Sequence, residues 1–495
     1  MSETYEFWSL VPPLVAIALA ILTKQVFIAL VFGIFIGWTM INGGNPLYGL
    51  FDTLQAFVDV FKDAGNTRTI MFCALVGALI IFMQRSGGVQ GFINLVQSRL
   101  TRYEGRDDRR GQLIVSLLAW LTGALIFVES SISVLTVGAL YRPLFDKLGI
   151  SREKLAYIAD SSSAPSSILI PFNGWGAFIM GLLAAEGFAA PFSTMLQSIG
   201  WNFYPLLALF LVPTLLIWGK DLGPMRKAER RTQDGKLLWD DAQPMVTDEL
   251  TEVEVVDHVP PRAANMVVPI VVMVLLMPIM LAYTGWAAAA EQTPAGFFDH
   301  LLLSIGAGSG STSVLTAVVG AILVSMVFYK AQGIMGIREM VDLTLKGIAG
   351  MIPLSLLMML AFAIGSLCKN ELGTGIYVAE VTKAWLSPGF VPLLVFMTSC
   401  FVAFSIGSSW GTFGIMIPIA VGMGQQLGAD PHIVIAAALG GGVFGDHCSP
   451  ISDTTILSSM ASCTDHVDHV RTQLPYALIA GGIAALGYTI LGLLA

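Results

Sequence analysis

The polar residues best suited to chemistry lie in one run near the end of the chain, at positions 445–459. The run is Gly-Asp-His-Cys-Ser-Pro-Ile-Ser-Asp-Thr-Thr-Ile-Leu-Ser-Ser, and it follows an apolar stretch. Carboxylates, hydroxyls and freed carbonyls are oxygen ligands, which small hard cations such as Na⁺ prefer. We therefore predict a cation site with these candidate ligands: Asp446, Ser449, Ser452, Asp453 and Thr454. The alternative, stronger for Asp453, is that the aspartates cap a helix at a solvated loop.

Two further carboxyl groups lie within apolar sequence in the first half of the chain. Asp160 begins a run of serines, and Glu129 precedes Ser130 and Ser131. A carboxylate among apolar side chains is costly, so function is the default interpretation. We predict that Glu129, Asp160 and Asp446 are candidate proton carriers. The alternatives are a place for Glu129 in the first turn of a helix that the serines cap, and a structural role for Asp160.

A third set of polar residues has weaker claims to a function. Ser408 and Ser409 follow a glycine, as Ser130 and Ser131 follow Glu129, and could contact an ion or substrate. Small residues also serve close helix packing, which is the equal alternative. His447 adjoins Cys448, but no further ligand stands near in sequence, so a place in a proton path is a better hypothesis than a transition metal. Two later histidines are expected at a solvated helix end, at positions 466 and 469.

The composition excludes most classes of soluble protein. Hydrophobic residues make up 55% of the 495 positions and charged residues 12%, whereas about a quarter of a soluble chain is charged. The formal net charge of −8 leaves no basic field for nucleic acid. The five cysteines are scattered, mostly in apolar runs, and are expected to be small buried side chains. Without a nucleophile–base pair or metal triad, we expect a non-enzymatic membrane protein with the lipid bilayer as partner and no cofactor.

Continuous apolar runs predict membrane-spanning helices, because about 20 apolar residues cross the hydrocarbon core. Eight such runs occur, at residues 7–22, 26–41, 70–83, 201–218, 266–281, 314–328, 351–367 and 474–494. Two longer regions, 112–183 and 391–460, are apolar but interrupted by polar clusters and prolines. Unwound backbone survives in a membrane only where protein or water satisfies it. We therefore expect the site in these two regions, with glycines near 440–445 unwinding the helix.

The two halves of the chain repeat one order of motifs. Glu129-Ser-Ser corresponds to Gly407-Ser-Ser, and the serine run after Asp160 corresponds to the run after Asp446. With re-entrant hairpins at 112–145 and 391–423, each half crosses the membrane five times. An odd number of crossings inverts the second copy, as in secondary transporters. Chance similarity between Gly/Ser-rich apolar stretches is the alternative.

We thus predict an all-α polytopic membrane protein of two inverted repeats. Each repeat has about five spans plus a re-entrant hairpin and an unwound helix. The repeats cover residues 1–219 and 263–495, and a linker at 220–262 joins them. Basic residues in this linker and in the loop 99–110 place both in the cytoplasm by the positive-inside rule.

The run at 445–459 resembles the motif of the NhaC-type Na⁺/H⁺ antiporter family, and the similarity extends over nearly the whole chain. The family is similar to the wider ion-transporter superfamily, whose members have two inverted repeats, two hairpins and two unwound helices. The resemblance implies Na⁺ coupling, a homodimer and an elevator mechanism. It leaves the second substrate open, because relatives exchange malate for lactate or carry amino acids. The first half departs from the pattern, since no His-Cys pair follows Asp160 and no residue matches Asp453.

The residues and the resemblance together predict a secondary active transporter of the inner membrane. The leading hypothesis is a Na⁺/H⁺ antiporter, in which Na⁺ and protons are the transported partners. Both ions would compete for the same carboxylates. The rival is a Na⁺-coupled carrier of a small organic solute, such as an amino acid, or an exchanger of malate for lactate. The motifs favour the antiporter because they contain no Arg or Lys to bind an organic carboxylate.

Overall fold

The structure is a computed structural model. It describes residues 5–23, 25–100, 109–127, 129–244, 260–291, 296–374, 377, 381 and 387–494. Regular secondary structure in these residues is helical, and an isolated β-bridge joins Pro244 to Asp465. The predicted all-α class is confirmed.

The helices of the first half follow one another with short connections. In chain order they are α1 (Val11–Thr23), α2 (Val26–Ile41), α3 (Pro46–Val60), α4 (Ala64–Arg85), α5 (Gly88–Leu100), α6 (Arg109–Leu125), α7 (Ser130–Lys147), α8 (Arg152–Leu169), α9 (Gly174–Ala185), α10 (Pro191–Ile199), α11 (Phe203–Trp218) and α12 (Gly223–Gln233).

The second half continues this series after the residues 245–259, which lie outside the described part. Its helices are α13 (Ala264–Ala290), α14 (Phe297–Ala307), α15 (Gly310–Ala331), α16 (Ile337–Ser366), α17 (Val391–Ile406), α18 (Ser409–Leu427), α19 (Pro431–Cys448), α20 (Asp453–Ser462) and α21 (His466–Leu494).

Length and hydropathy identify the helices that can cross a membrane. Among the described residues six qualify, and the bent pairs α8–α9 and α10–α11, kinked by 41° and 47°, raise the number to eight. The chain is therefore a multi-pass membrane protein. The predicted span at 26–41 coincides with α2, which has 16 residues, and the one at 7–22 corresponds to α1, which has 13 residues; both fall short of the length that a membrane-spanning helix needs. Five crossings per half, and the inverted orientation of the second half, stay predictions.

Both interrupted regions fold as a helical hairpin followed by a broken helix. The hairpins are α6–α7 and α17–α18, and the broken helices are α8–α9 and α19–α20. Each broken helix packs against a hairpin helix of the other half: α7 lies on α20, and α18 lies on α9. Ala461 of α20 lies so close to Gly138 of α7 that a Cβ on that glycine would be 2.4 Å from the alanine Cβ. The two interrupted regions are therefore interlocked.

The glycines before the second break do not unwind the helix, contrary to the prediction. Helix α19 continues through them to Cys448. A Cβ added at Gly441 would lie 2.5 Å from the Phe396 carbonyl oxygen, and one at Gly445 would lie 2.3 Å from that of Cys400. These glycines thus allow the backbones of α17 and α19 to approach closely, as small residues do in membrane proteins.

The described part of the predicted linker contains a docked helix. Arg231 of α12 is buried, and its two terminal nitrogens lie 2.7 and 2.9 Å from the Glu153 carboxylate of α8. Glu229 accepts a 2.6 Å hydrogen bond from the Ser151 hydroxyl, which also caps α8. The helix that contains Asp160 is therefore anchored at its N-terminus by α12.

Candidate ion-binding site

The second break lies against the tip of the second hairpin. The Ser449 hydroxyl donates a 2.8 Å hydrogen bond to the Phe404 carbonyl oxygen. Gly407 adopts φ of +70° at the tip, and a Cβ there would lie 2.8 Å from the Ile451 carbonyl oxygen. A glycine is therefore required at this turn, both for its conformation and for the close approach. The tip serines are thereby held beside the end of α19.

Asp446 lies three residues before this break and is 3% exposed. Its Oδ2 accepts a hydrogen bond from the Ser409 hydroxyl at the hairpin tip, and the Ser452 side chain lies beside the same carboxyl group. Its Oδ1 has no hydrogen-bond partner among the described residues. Asp446 therefore lies beside two of the predicted site serines, Ser409 and Ser452, and one of its carboxylate oxygens has no partner among the described residues.

The remaining predicted residues of the 445–459 run mainly hold the break together. The Ser452 hydroxyl caps α20 by accepting from the Thr455 backbone N–H at 3.4 Å, and it is 3.1 Å from the Thr454 hydroxyl. Asp453 is an exposed residue whose carboxylate accepts from the Thr454 N–H at 2.8 Å. Asp453 thus takes the helix-terminus position that the alternative interpretation gave it.

Asp160 is fully buried in the interior of α8, ten residues before the first break. Its Oδ2 accepts from the Gln473 amide at 2.7 Å and from the Thr455 hydroxyl at 3.3 Å. Its Oδ1 also lacks a hydrogen-bond partner in the described part of the chain. Residues of the second half therefore surround the first-half carboxylate. Sequence reasoning missed Gln473, which lies in an apolar helix far from either motif.

His447 is buried between polar groups of the first half. Its Nδ1 is 2.6 Å from the Tyr204 hydroxyl, and its Nε2 is 3.1 Å from the Ser161 hydroxyl. The same nitrogen is 3.7 Å from Asp160 Oδ2. Tyr204 was not singled out in the sequence, because a tyrosine in an apolar span is usually a packing residue. His447 thus connects α19 to groups of the first half.

The first hairpin tip is organised by its own carboxylate. Glu129 caps α7, accepting from the Ile132 backbone N–H at 2.9 Å and from the Ser131 hydroxyl at 3.3 Å. Ser130 is buried in the first turn. The Asn173 amide of the first break donates to the Phe127 carbonyl oxygen at 2.8 Å. Each hairpin tip is thus joined to the broken helix of its own half.

The charged groups that act most strongly on Asp446 and Glu129 are other carboxylates. The charged group that acts most strongly on Asp446 is Asp453, followed by Asp160, and the one that acts most strongly on Glu129 is Asp453. Carboxylates that share a poorly solvated region repel one another, and a cation or a proton relieves this repulsion. The donor set of carboxylate and hydroxyl oxygens fits Na⁺. Two oxygens without partners, Oδ1 of Asp446 and Oδ1 of Asp160, mark where such relief is most needed.

Several known proteins have similar sequences, and those whose names state an activity are transporters. The family model described as "Na+/H+ antiporter family" matches residues 177–493. An uncharacterized protein of Haemophilus influenzae is 31% identical over 98% of this chain and 91% of its own length. Shorter matches are the arginine/ornithine antiporter ArcD of Halobacterium salinarum, 40% identical over 25% of this chain and 26% of that protein, and the malate-2H⁺/Na⁺-lactate antiporter of Bacillus subtilis, 33% identical over 23% and 28%.

A solved structure shares the fold. MtrF of Neisseria gonorrhoeae, described as one of a class of antimetabolite efflux pumps, aligns with a TM-score of 0.53 at 15% identity, over 90% of this chain and 84% of that one. The family match covers more than half of the chain, including the second hairpin, the second break and Asp446. The chain therefore belongs to the Na⁺/H⁺ antiporter family.

Proposed function

We propose that the protein exchanges Na⁺ for protons across the membrane and that Asp446 binds both ions in turn. The observation that supports this most is the buried Asp446 carboxyl group, with one oxygen on Ser409 and the other without a partner. An isolated buried carboxylate is unfavourable, so the group is stable when it binds either a cation or a proton.

Na⁺ would be held by Asp446 and by the hydroxyls that converge on it. Ser409 and Ser452 are nearest to its carboxyl group, and Thr454 lies one hydrogen bond further on. The other predicted ligands support these from caps and turns. They are Ser408, Ser449, Asp453, Ser130 and Ser131.

Exchange follows from competition at this one site. Either ion neutralises Asp446 and permits the conformational change, whereas the uncompensated carboxylate disfavours it. Glu129 and Asp160 remain candidate proton carriers, and each accepts hydrogen bonds from two donors. We further propose that the protein acts in the inner membrane as a homodimer and moves its site by an elevator motion of the interlocked hairpins and broken helices.

Sodium-driven proton movement in proteoliposomes without organic solute tests the proposal. A pH-sensitive dye should report proton movement on addition of Na⁺. Lowering the pH should raise the apparent Michaelis constant for Na⁺ and leave the maximal rate nearly unchanged, because the two ions compete. A flat trace without solute would contradict the antiporter.

A Na⁺-coupled carrier of a small organic solute is the second candidate function. Near the first break, the Trp175 indole N–H and the Ser167 hydroxyl are buried without hydrogen-bond partners among the described residues. Trp175 packs against Trp410 of the second hairpin with ring centroids 5.0 Å apart. These groups could bind a polar solute between the halves, and the named activities of two relatives involve organic solutes. A dye signal that requires added arginine, malate or lactate would support this function instead.

A further inference from the structure

Ser459 of α20 faces two histidines of α21 at the junction of these helices. Its hydroxyl oxygen is 3.0 Å from His466 Nδ1 and 2.9 Å from His469 Nδ1. The sequence predicted a solvated helix end here, and for His469 this was wrong because the residue is fully buried. His466 is half-buried. We call these three residues the Ser459 cluster.

The partners of the two rings determine which nitrogens carry hydrogen. The Gln473 amide nitrogen donates to the Asp160 carboxylate and to the His447 carbonyl oxygen, both at 2.7 Å. The Gln473 amide oxygen must therefore accept the contact from His469 Nε2 at 2.9 Å. A carbonyl oxygen only accepts, so His466 Nε2, 2.6 Å from the Pro450 carbonyl oxygen, is also a donor.

The cluster then lacks a hydrogen when both rings are neutral. A neutral imidazole has one N–H, and in both rings it is at Nε2, so both Nδ1 atoms are acceptors. The Ser459 oxygen is also 2.9 Å from the Thr455 carbonyl oxygen. One hydroxyl hydrogen thus faces three acceptors. A single added proton changes this: one imidazolium donates to the Ser459 oxygen, and the hydroxyl donates to the other ring.

We propose that the Ser459 cluster binds one proton and that His466 carries it. The positive charge belongs on His466 because this ring reaches water, whereas His469 is fully buried. A transition metal is not the ligand, since only two histidines and one hydroxyl converge here and the described residues offer no third metal-ligating side chain at this point.

The charged groups around the cluster favour a cation on its outer side. Asp465 and Asp468 flank His466, and their charges offset the unfavourable field of a helix N-terminus. Glu153 of α8, Arg231 of α12 and Asp241 also act on Asp468. At the same junction, Arg142 of α7 and Arg152 of α8 contact Cys463. The inner ring faces other groups, which are Asp160 of α8 and His447 of α19.

This proton site is linked to the proposed ion site through the second break. His466 holds the Pro450 carbonyl oxygen, and Pro450 lies within the break between α19 and α20. Protonation adds a hydrogen bond from His466 Nδ1 to Ser459 and makes the bond to Pro450 charge-assisted, so it strengthens the connection of the break and α20 to α21. Deprotonation leaves two lone pairs directed at one hydroxyl and weakens that connection. The transport consequence rests on the proposed function, whereas the proton site itself does not.

Nuclear magnetic resonance of ¹⁵N-histidine-labelled protein in detergent tests the proton site directly. In the parent protein at neutral pH, the His466 ring should show two protonated nitrogens and the His469 ring one. Ser459→Ala removes the hydroxyl that accepts from His466 Nδ1, so the His466 ring should then show one protonated nitrogen, and His466→Gln assigns the signal. A parent His466 ring with one protonated nitrogen would overturn the proposal, as would an unchanged His466 signal in Ser459→Ala.

A flux measurement distinguishes the proposed proton site from the proposed exchange of Na⁺ for protons. In proteoliposomes, Ser459→Ala and His466→Gln should each change the shape of the pH–rate curve, because neither variant retains the bound proton. His432→Gln, at a half-exposed histidine beside Asp430, should leave the curve unchanged. A parent protein with no Na⁺-driven proton flux would contradict the proposed function, while the resonance result would still decide the proton site.

Discussion

The two broken helices differ in how they hold their carboxylates. In α19–α20, Asp446 lies three residues before the break, and one hydroxyl at a hairpin tip donates to it. In α8–α9, Asp160 lies ten residues before the break, in unbroken helix, and accepts from an amide and a hydroxyl. Related motifs thus produce different environments. Asp446 contacts its own half at a hairpin tip, whereas Asp160 contacts only residues of the other half among its hydrogen-bond donors.

The breaks are joined to their hairpins by different side chains. Asn173 donates to both Phe127 and Ser167 carbonyl oxygens and caps α9, whereas Ser449 makes one bond to Phe404. Asn173 therefore makes more hydrogen bonds at the first break than Ser449 makes at the second. This comparison leads to four predictions.

The largest expected effect is that of Asp446→Asn. The substitution keeps the size but removes the negative charge, so Na⁺ loses its anionic ligand. Removing one partner of a buried charge interaction costs about 3–5 kcal/mol, and Na⁺-driven proton flux should fall at least about hundredfold. Flux in proteoliposomes is the measurement, with Asp430→Asn at the exposed start of α19 as control. A parental rate in Asp446→Asn would make this residue a structural cap.

The second prediction compares the connections at the two breaks. Asn173→Ala removes two hydrogen bonds to carbonyls and a cap, and should lower the free energy of unfolding by about 2–3 kcal/mol. Ser449→Ala removes the bond to Phe404 and a long 3.4 Å bond from the Ile451 N–H, and should cost about 1 kcal/mol. Thermal unfolding in detergent measures both. Equal losses would mean that the two breaks are equally rigid.

The third prediction compares the hairpin tips. Ser409→Ala removes the donor to Asp446 and should raise the apparent Michaelis constant for Na⁺ about tenfold, since a bond to a charged group is worth about 1.5 kcal/mol. Ser131→Ala loses only a 3.3 Å contact to Glu129, and the constant should change by less than about threefold. If Ser131→Ala had the larger effect, the ion site would lie nearer the first tip.

The smallest expected effect on ion binding is that of Asp160→Asn. An asparagine oxygen can still accept from Gln473 and Thr455, so the geometry should persist. Neutral bonds replace charge-assisted ones, which should lower the free energy of unfolding by about 1 kcal/mol. The apparent Na⁺ constant should change by less than about twofold, a difference worth under about 0.5 kcal/mol. Sodium titration of flux decides, and a loss as large as that of Asp446→Asn would place both carboxylates in one ion site.

Much of the fold was predictable because apolar runs and helix stop signals are local. Val26–Ile41 was located to the residue, and both hairpins and both interruptions were found. The interruptions themselves were placed less well. Gly441 and Gly445 look like helix breakers in sequence, but they serve contact with α17. In sequence, a glycine that breaks a helix cannot be distinguished from one that allows a neighbouring helix to approach closely. Only the position of the neighbouring backbone separates the two roles.

The sequence by itself determined that the chain crosses a membrane, that polar runs interrupt two apolar regions, and that Asp446 lies beside oxygen ligands. These conclusions follow from hydropathy and residue type, which need no long-range contact. Only the tertiary structure decided that Gln473 fixes Asp160, that Tyr204 meets His447, and that Ser459 faces two histidines. Gln473 and Tyr204 lie hundreds of residues away in sequence from the side chains they contact, whereas Ser459 and His469 lie on helices that are joined by a short turn. Packing alone brings them together, because a buried polar atom takes whatever donor the neighbouring helix presents.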